Sequence, residues 1–353
     1  MFAYVGGYTT PDRDGRGDGI NVFRIEPGSG DWTHIQNVGG LQNPSLFTLR
    51  SDNRAMFSVH GARDYVTAFA IDPASGHLTQ LNQLHCGGDN PVDSAVDFAS
   101  RFLVVGNYAS GSVAVMPLGP DGTLQPPHQV FVLDGTPGPD PKEQSSSHPH
   151  AVIFDPTGRY VVVPDKGFDR TFVFRFDPAE GRIQPTAQGS IASRPGAAPR
   201  HAAFHPRLPA LYVNNELDST VTTYRWHGQD GHLDELQVLG TRPQGQPGKN
   251  TTAEIAVSPD GRFVYVSNRG DDTIAQFSIS GDNGELTFLG CTPTGGSKPR
   301  FFTLDPTGDH LYAANQDSDT ITRFRIDKES GRTTTPFGEP IKIGSPSAIS
   351  LIP

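Results

Sequence analysis

The sequence predicts an all-β protein: a seven-bladed β-propeller with four antiparallel strands per blade, closed by N- and C-terminal strands sharing one blade, as a single domain over residues 1–353. Three observations carry this expectation. Gly 40 and Pro 31 make up about a fifth of the 353 residues, too much punctuation for long helices, and the apolar residues are rich in β-branched and aromatic types. A unit of about 50 residues recurs along the chain. The last unit is completed only by running off one end of the chain and onto the other.

The unit is clearest from His148-Pro149-His150 to Gly158-Arg159, again from Pro199-Arg200-His201 to His205-Pro206, and again from Ala253-Glu254 to Gly261-Arg262. Its opening prolines stand at 44, 91, 149, 199, 299 and 346, and a copy without one starts near Thr252. That makes seven starts, and the path from Pro346 through both termini to Pro44 is one more interval of the same size. Inside a unit, a short apolar strand meets a Pro-Asp-Gly or Pro-Thr-Gly turn. A second strand follows, such as Phe263–Asn268, then a third such as Thr273–Ile279, then a Gly-containing turn and a fourth ending near Gly290. In the split blade, residues 346–352 supply one strand and residues 1–40 the other three, so no free edge is left. The longest excess, Pro137 to Ser147, is expected to be mostly a connector.

Net charge is −10 and no run of Lys or Arg exceeds two residues, which argues against nucleic acid or an anionic membrane as partner. Only Cys86 and Cys291 are present, without metal-ligand spacing, so neither a disulfide framework nor a zinc site is expected. Cysteine usage fits a reducing compartment, and the start Met1-Phe2-Ala3-Tyr4 has no basic leader; a cytoplasmic protein is expected.

Positions that serve only the blade should look alike in every copy, so positions that differ mark other duties. Two columns differ. One opens the innermost strand: Ser45, Val92, His150, Arg200, Ala253, Arg300, Ser347. The other closes the second strand: Tyr8, Gly61, Tyr108, Lys166, Glu216, Arg269, Gln316, usually after Asn or Asp. Antiparallel strands joined by a tight turn bring both columns to one mouth of the central channel. There the guanidiniums of Arg200, Arg269 and Arg300 offer planar forks for carboxylate or phosphate, and His150 and Glu216 are proton-transfer groups. His150, Glu216, Arg200 and Arg269 are the expected catalytic set; His148, His201, Asn268, Arg300 and Gln316 are expected to contact or support substrate. An ordinary ion pair is the competing reading for Glu216 with either arginine, strand-end hydrogen bonding for His148, His201 and, as the default, His205, and a polar turn for Lys166 and Arg170. The chain has no Gly-x-Ser-x-Gly elbow, phosphate loop or His-Glu-x-x-His, and no cofactor is expected.

Tyr4-Val5-Gly6-Gly7-Tyr8-Thr9, Gly106-Asn107-Tyr108-Ala109-Ser110-Gly111, Pro199-Arg200-His201-Ala202-Ala203-Phe204-His205-Pro206, Val213-Asn214-Asn215-Glu216-Leu217 and Val266-Ser267-Asn268-Arg269-Gly270 resemble the lactonase family of seven-bladed propellers over essentially the whole chain. That family includes a bacterial type of 6-phosphogluconolactonase and the fungal 3-carboxy-cis,cis-muconate lactonizing enzyme. The resemblance implies working residues at His150, Arg200, Glu216 and Arg269, the same four that the columns select. This chain differs from the family pattern at His60-Gly61, where relatives carry Asn-Glu, and at Asp93, where they carry His, so the far side of the pocket is expected to be remodelled. The function expected is metal-independent hydrolysis of a small anionic lactone. Muconate cycloisomerisation is the second reading and a non-catalytic binding propeller the third. The sequence leaves oligomeric state open.

Overall fold

The computed structural model describes residues 1–26 and 30–353. Its strands form seven four-stranded antiparallel sheets. Numbered from the first complete blade, the innermost strands are Pro44–Leu49, Pro91–Val96, Ile153–Phe154, Pro199–Phe204, Thr251–Val257, Pro299–Leu304 and Pro346–Ile352. Blade seven is the split one: Pro346–Ile352 pairs with Phe2–Gly7, which pairs in turn with Ile20–Ile25 and then Trp32–Val38. The closure expected from the repeat spacing is therefore the closure observed.

The core lies between blades as seven apolar layers. Phe57, Leu103 and Met116 fill the layer between blades one and two, and Tyr212, Val264 and Phe277 the one between four and five. Each sheet buries both faces, so its central strands read as continuous apolar runs such as Val161–Val163. Polar groups repeat where the backbone needs partners. The turn after the innermost strand is held by one side chain that accepts two successive amides. Asp97 accepts from Arg101 and Phe102, Asp155 from Arg159 and Tyr160, Asp305 from Asp309 and His310, and Ser258 from Arg262 and Phe263. His205 does the same with Nδ1 for Arg207 and Leu208, the structural role expected of it.

Adjacent outer strands are latched by side-chain amides. Gln188 Nε2 donates to Leu233 O at 2.8 Å while its Oε1 accepts from Leu233 N at 2.8 Å. Gln36 with Leu78, Asn82 with Leu124, Gln129 with Ile183 and Gln237 with Leu286 repeat that pair of bonds.

One backbone device positions the site. Directly before the opening proline, Asn43, Asn90, Ala198, Lys298 and Ser345 adopt left-handed φ of 47°, 54°, 61°, 58° and 41°. Directly after it, the pairing slips by one residue, at Ser45, Val92, Arg200, Arg300 and Ser347. A bulge leaves its extra residue out of the ladder and re-aims its side chain. Five of the seven members of the first variable column, all but His150 and Ala253, are thus bulge residues re-aimed at the hub. Gly6 meets the same crowding from outside, since a Cβ there would lie 2.3 Å from Pro44 O of the neighbouring blade.

Candidate functional site

Glu216 closes the second strand of blade four, Ala210–Asn215, and is buried at the hub. Its Oε1 lies 2.9 Å from Lys166 Nζ and 3.2 Å from Arg269 Nη2, and its Oε2 lies 3.0 Å from Arg200 Nε. Lys166 and Arg269 close the second strands of blades three and five, Tyr160–Asp165 and Phe263–Arg269, so one carboxylate gathers cations from three consecutive blades. Burial alone would push the Glu216 carboxyl up; Arg269, Lys166 and Arg200 outweigh it and hold the group well below its ordinary value. Burial likewise opposes the Lys166 charge, and Glu216 and Tyr108 more than restore it.

Arg200 is 2% exposed. Burial, with Arg269 and Arg300 near, pulls its guanidinium down to about 9, so it stays charged at neutral pH. Nη1 donates to Ala253 O, while Nε faces Glu216 without a well-directed hydrogen bond. Arg269 Nη2 donates to Thr252 O at 2.7 Å and its Nε is buried without a partner. The backbone anchors leave part of each guanidinium uncommitted.

His150 is buried beside them, and its Nδ1 has no hydrogen-bond partner among the described residues. Burial first, then the charges of Arg200, His201, Arg300 and Lys166, keep its imidazole well below 6.5, hence neutral at pH 7. Tyr108 meets its ring edge-on at 5.5 Å and stacks on His148 at 4.3 Å. His148 Nδ1 lies 3.0 Å from Tyr108 O, so this histidine supports the pair. His201 packs on His150 at 5.2 Å and holds Glu254 Oε1 with Nδ1 at 3.0 Å.

At the hub, Ser45, Val92, His150, Arg200, Arg300 and Ser347 line a narrow throat of about 10 Å³, room for one water. A wide basin of about 730 Å³ reaches Glu216 from outside, between segment 140–143 and the loop around Arg242–Asn250.

The structure thus brings His150, Arg200, Glu216 and Arg269 together, with His148, His201 and Arg300 around them. Asn268 is different. Its Oδ1 accepts from Thr241 and Asn250 and its Nδ2 donates to Thr241 and Thr273, so all four of its hydrogen-bonding positions serve the blade. Gln316 opens a short 3₁₀ turn, Gln316–Ser318, and keeps a buried, unpartnered Oε1. Lys166 is the residue misjudged from sequence. Arg170 opens the strand Arg170–Asp177 and donates to Ser190 Oγ, so the polar-turn reading fails for it too; Lys166 does lie in the turn but is buried on Glu216 and also meets Glu143 at 2.7 Å. Glu143 belongs to the Pro137–Ser147 excess, which is no mere connector: buried Gln144 pins it to Lys166 O and Asp169. Membership of the variable column was the signal for Lys166. Among the described residues no group of three or more His, Cys, Asp or Glu is placed to hold a metal ion, and no helix is long and apolar enough to cross a membrane.

Comparison with known proteins gives the same outline. The family model described as lactonase, 7-bladed beta-propeller, matches residues 2–351. The 6-phosphogluconolactonase of Bacillus subtilis is 35% identical over 304 residues, covering 86% of this chain and 84% of that one. The 6-phosphogluconolactonase of Formosa agariphila is 32% identical over 312 residues, 86% of each. Among solved structures, the periplasmic gluconolactonase of Pseudomonas aeruginosa superposes with a TM-score of 0.91 at 33% identity, covering 99% of this chain and 98% of that one.

Proposed function

We propose that this chain, which belongs to the lactonase family of seven-bladed β-propellers, hydrolyses the ring ester of a small anionic lactone at the channel mouth, in the manner named for its 6-phosphogluconolactonase relatives. The observation that carries the reading is the pairing of a neutral, unpartnered His150 with a cluster of Arg200, Arg269 and Lys166 fixed in place by Glu216.

Between the two candidate proton carriers, the contacts favour His150 as the base. Both oxygens of Glu216 are engaged by cations, and its lowered pKa makes it a poor proton acceptor. In this scheme the His150 imidazole takes a proton from water as the water oxygen bonds to the lactone carbonyl carbon. Arg200 and Arg269 offset the charge that develops on the carbonyl oxygen. The ring C–O bond then breaks, His150 returns the proton to the departing alkoxide, and the product acid ionises to solvent. No step is routed through a metal or cofactor. The cytoplasmic placement belongs to the same reading and rests on the two free cysteines.

The test is acid release from freshly prepared 6-phosphogluconolactone and gluconolactone, measured against spontaneous hydrolysis in the same buffer. Acceleration by the wild-type protein and its loss in His150→Ala are expected. A rate equal to buffer with both lactones overturns the reading.

A further inference from the structure

Away from Glu216, on the arc formed by blades six, seven and one, a second set of cations meets the mouth. Tyr8 follows the second strand of blade seven, and the guanidiniums of Arg13 and Arg300 each lie 5.4 Å from its ring centroid. Arg13 comes from the 8–19 connection, which crosses over blade one. Asn43 clamps that crossing: its Oδ1 accepts from the amides of Thr9 and Thr10, and its Nδ2 donates to Gly61 O. Asp12 adds a contact to Arg63 at 3.5 Å.

Gly61 is the one member of the second column without a side chain. A Cβ there would stand 3.0 Å from Tyr8 Cε1 and 3.7 Å from Arg13 Nη2. The space blade one leaves empty is thus filled from blade seven, and the group delivered is a cation. Arg13 Nη2 donates to Asn90 Oδ1 at 3.3 Å, and its Nε is buried and unpartnered. Arg300 lines the throat beside Ser347, whose Oγ is also buried and unpartnered. Neither arginine forms an ion pair with a carboxylate among the described residues, whereas Lys166, Arg200 and Arg269 share Glu216.

A dianion entering this mouth therefore meets one cationic group already offset and one that is not. We propose that Arg13 and Arg300, braced on Tyr8, form the subsite for a phosphate monoester at the tail of the substrate, leaving His150, Arg200, Glu216 and Arg269 to the lactone ring. A planar guanidinium fork suits phosphate geometry, and Tyr8 holds one on each of the two arginines beside it. The assignment rests on the lactonase reading and deepens it by naming the charged tail.

The experiment compares kcat/KM for 6-phosphogluconolactone with that for gluconolactone in wild type, Arg13→Gln and Gly61→Glu, the last placing a carboxylate against Arg13. The wild-type preference for the phosphorylated lactone should fall about 10–100-fold in both variants, the range expected for one or two charge-assisted hydrogen bonds, and Arg13→Lys should restore part of it. Calorimetric binding of 6-phosphogluconate supplies a readout without turnover, and affinity should fall in Arg13→Gln. An unchanged preference, or unchanged binding of 6-phosphogluconate, overturns the subsite. If wild type hydrolyses neither lactone, the lactonase reading fails, and the binding comparison alone decides the anion site.

Discussion

Lys166 Nζ lies 2.9 Å from Glu216 Oε1, and the two residues, 50 positions apart, hold equivalent places in consecutive blades. Repetition of the fold has turned one structural position into two opposite charges in contact at the hub. Arg269, at the same place one blade further on, completes the set.

Removing the shared carboxylate should be costly. Glu216→Gln leaves Arg200 and Arg269 without their carboxylate and Lys166 with Glu143 alone, for which about 3–5 kcal/mol is expected, together with loss of turnover. The folded-state carboxyl lies well below its ordinary value of 4.5. Its contribution is present above the unfolded value and is lost as pH falls toward the folded one. Wild type should therefore lose stability on acidification below about pH 5 more steeply than Glu216→Gln; equal slopes in urea titrations would count against the cluster.

His150 makes a kinetic prediction. A base must be unprotonated, and this imidazole is held well below 6.5 in the free protein. The acid limb of kcat/KM should therefore lie clearly under pH 6.5, with the rate falling as pH drops through it. A bound anion offsets the nearby arginines, so the limb of kcat should appear at higher pH than that of kcat/KM. A kcat/KM limb centred at 6.5, or a loss in His150→Ala far smaller than about 10², would remove His150 from the proton path.

Asp93 titrates in the opposite sense. Burial raises its carboxyl to about 7, against the amides of Val152 and Ser94 that hold its oxygens. A raised folded value stabilises the protein below the unfolded value, and that contribution is lost as pH rises through the folded one. The unfolding free energy of Asp93→Asn should therefore improve relative to wild type between about pH 4 and pH 7. A constant difference across that window would contradict the assignment.

Each outer latch is a pair of hydrogen bonds from one amide. Gln188→Ala should lower stability by about 1–3 kcal/mol, since it strands the Leu233 amide and carbonyl. Turnover should be unaffected, because Gln188 lies on the outer strand Arg182–Ala192, far from the hub. A variant unfolding at the wild-type denaturant concentration would show that the latch contributes nothing.

The blades and the mouth were legible because the chain repeats itself: strands and turns agree between copies, while Arg200, Glu216 and Arg269 do not. The same logic explains the misreadings. Asn268 looked functional through its neighbour Arg269, yet Asn107, Asn215 and Asn315 recur at that place, and uniformity marks a structural duty. Lys166 looked like a solvated turn residue, and its burial was hidden because its second partner, Glu143, sits in an excess with no counterpart in other repeats. Arg13 was invisible for a related reason. It lies in a connection outside both columns, and only the folded chain shows it filling the gap over Gly61.

Blade seven imposes an order on assembly. Phe2–Gly7 is synthesised before the other strands of the propeller, yet its inner neighbour is Pro346–Ile352. Until that segment arrives, the first strand keeps a row of unsatisfied amides and carbonyls, and the circle stays open however well the other blades have packed. A circular permutant cut within the exposed 243–249 loop would make blade seven continuous and release the newborn chain from this wait.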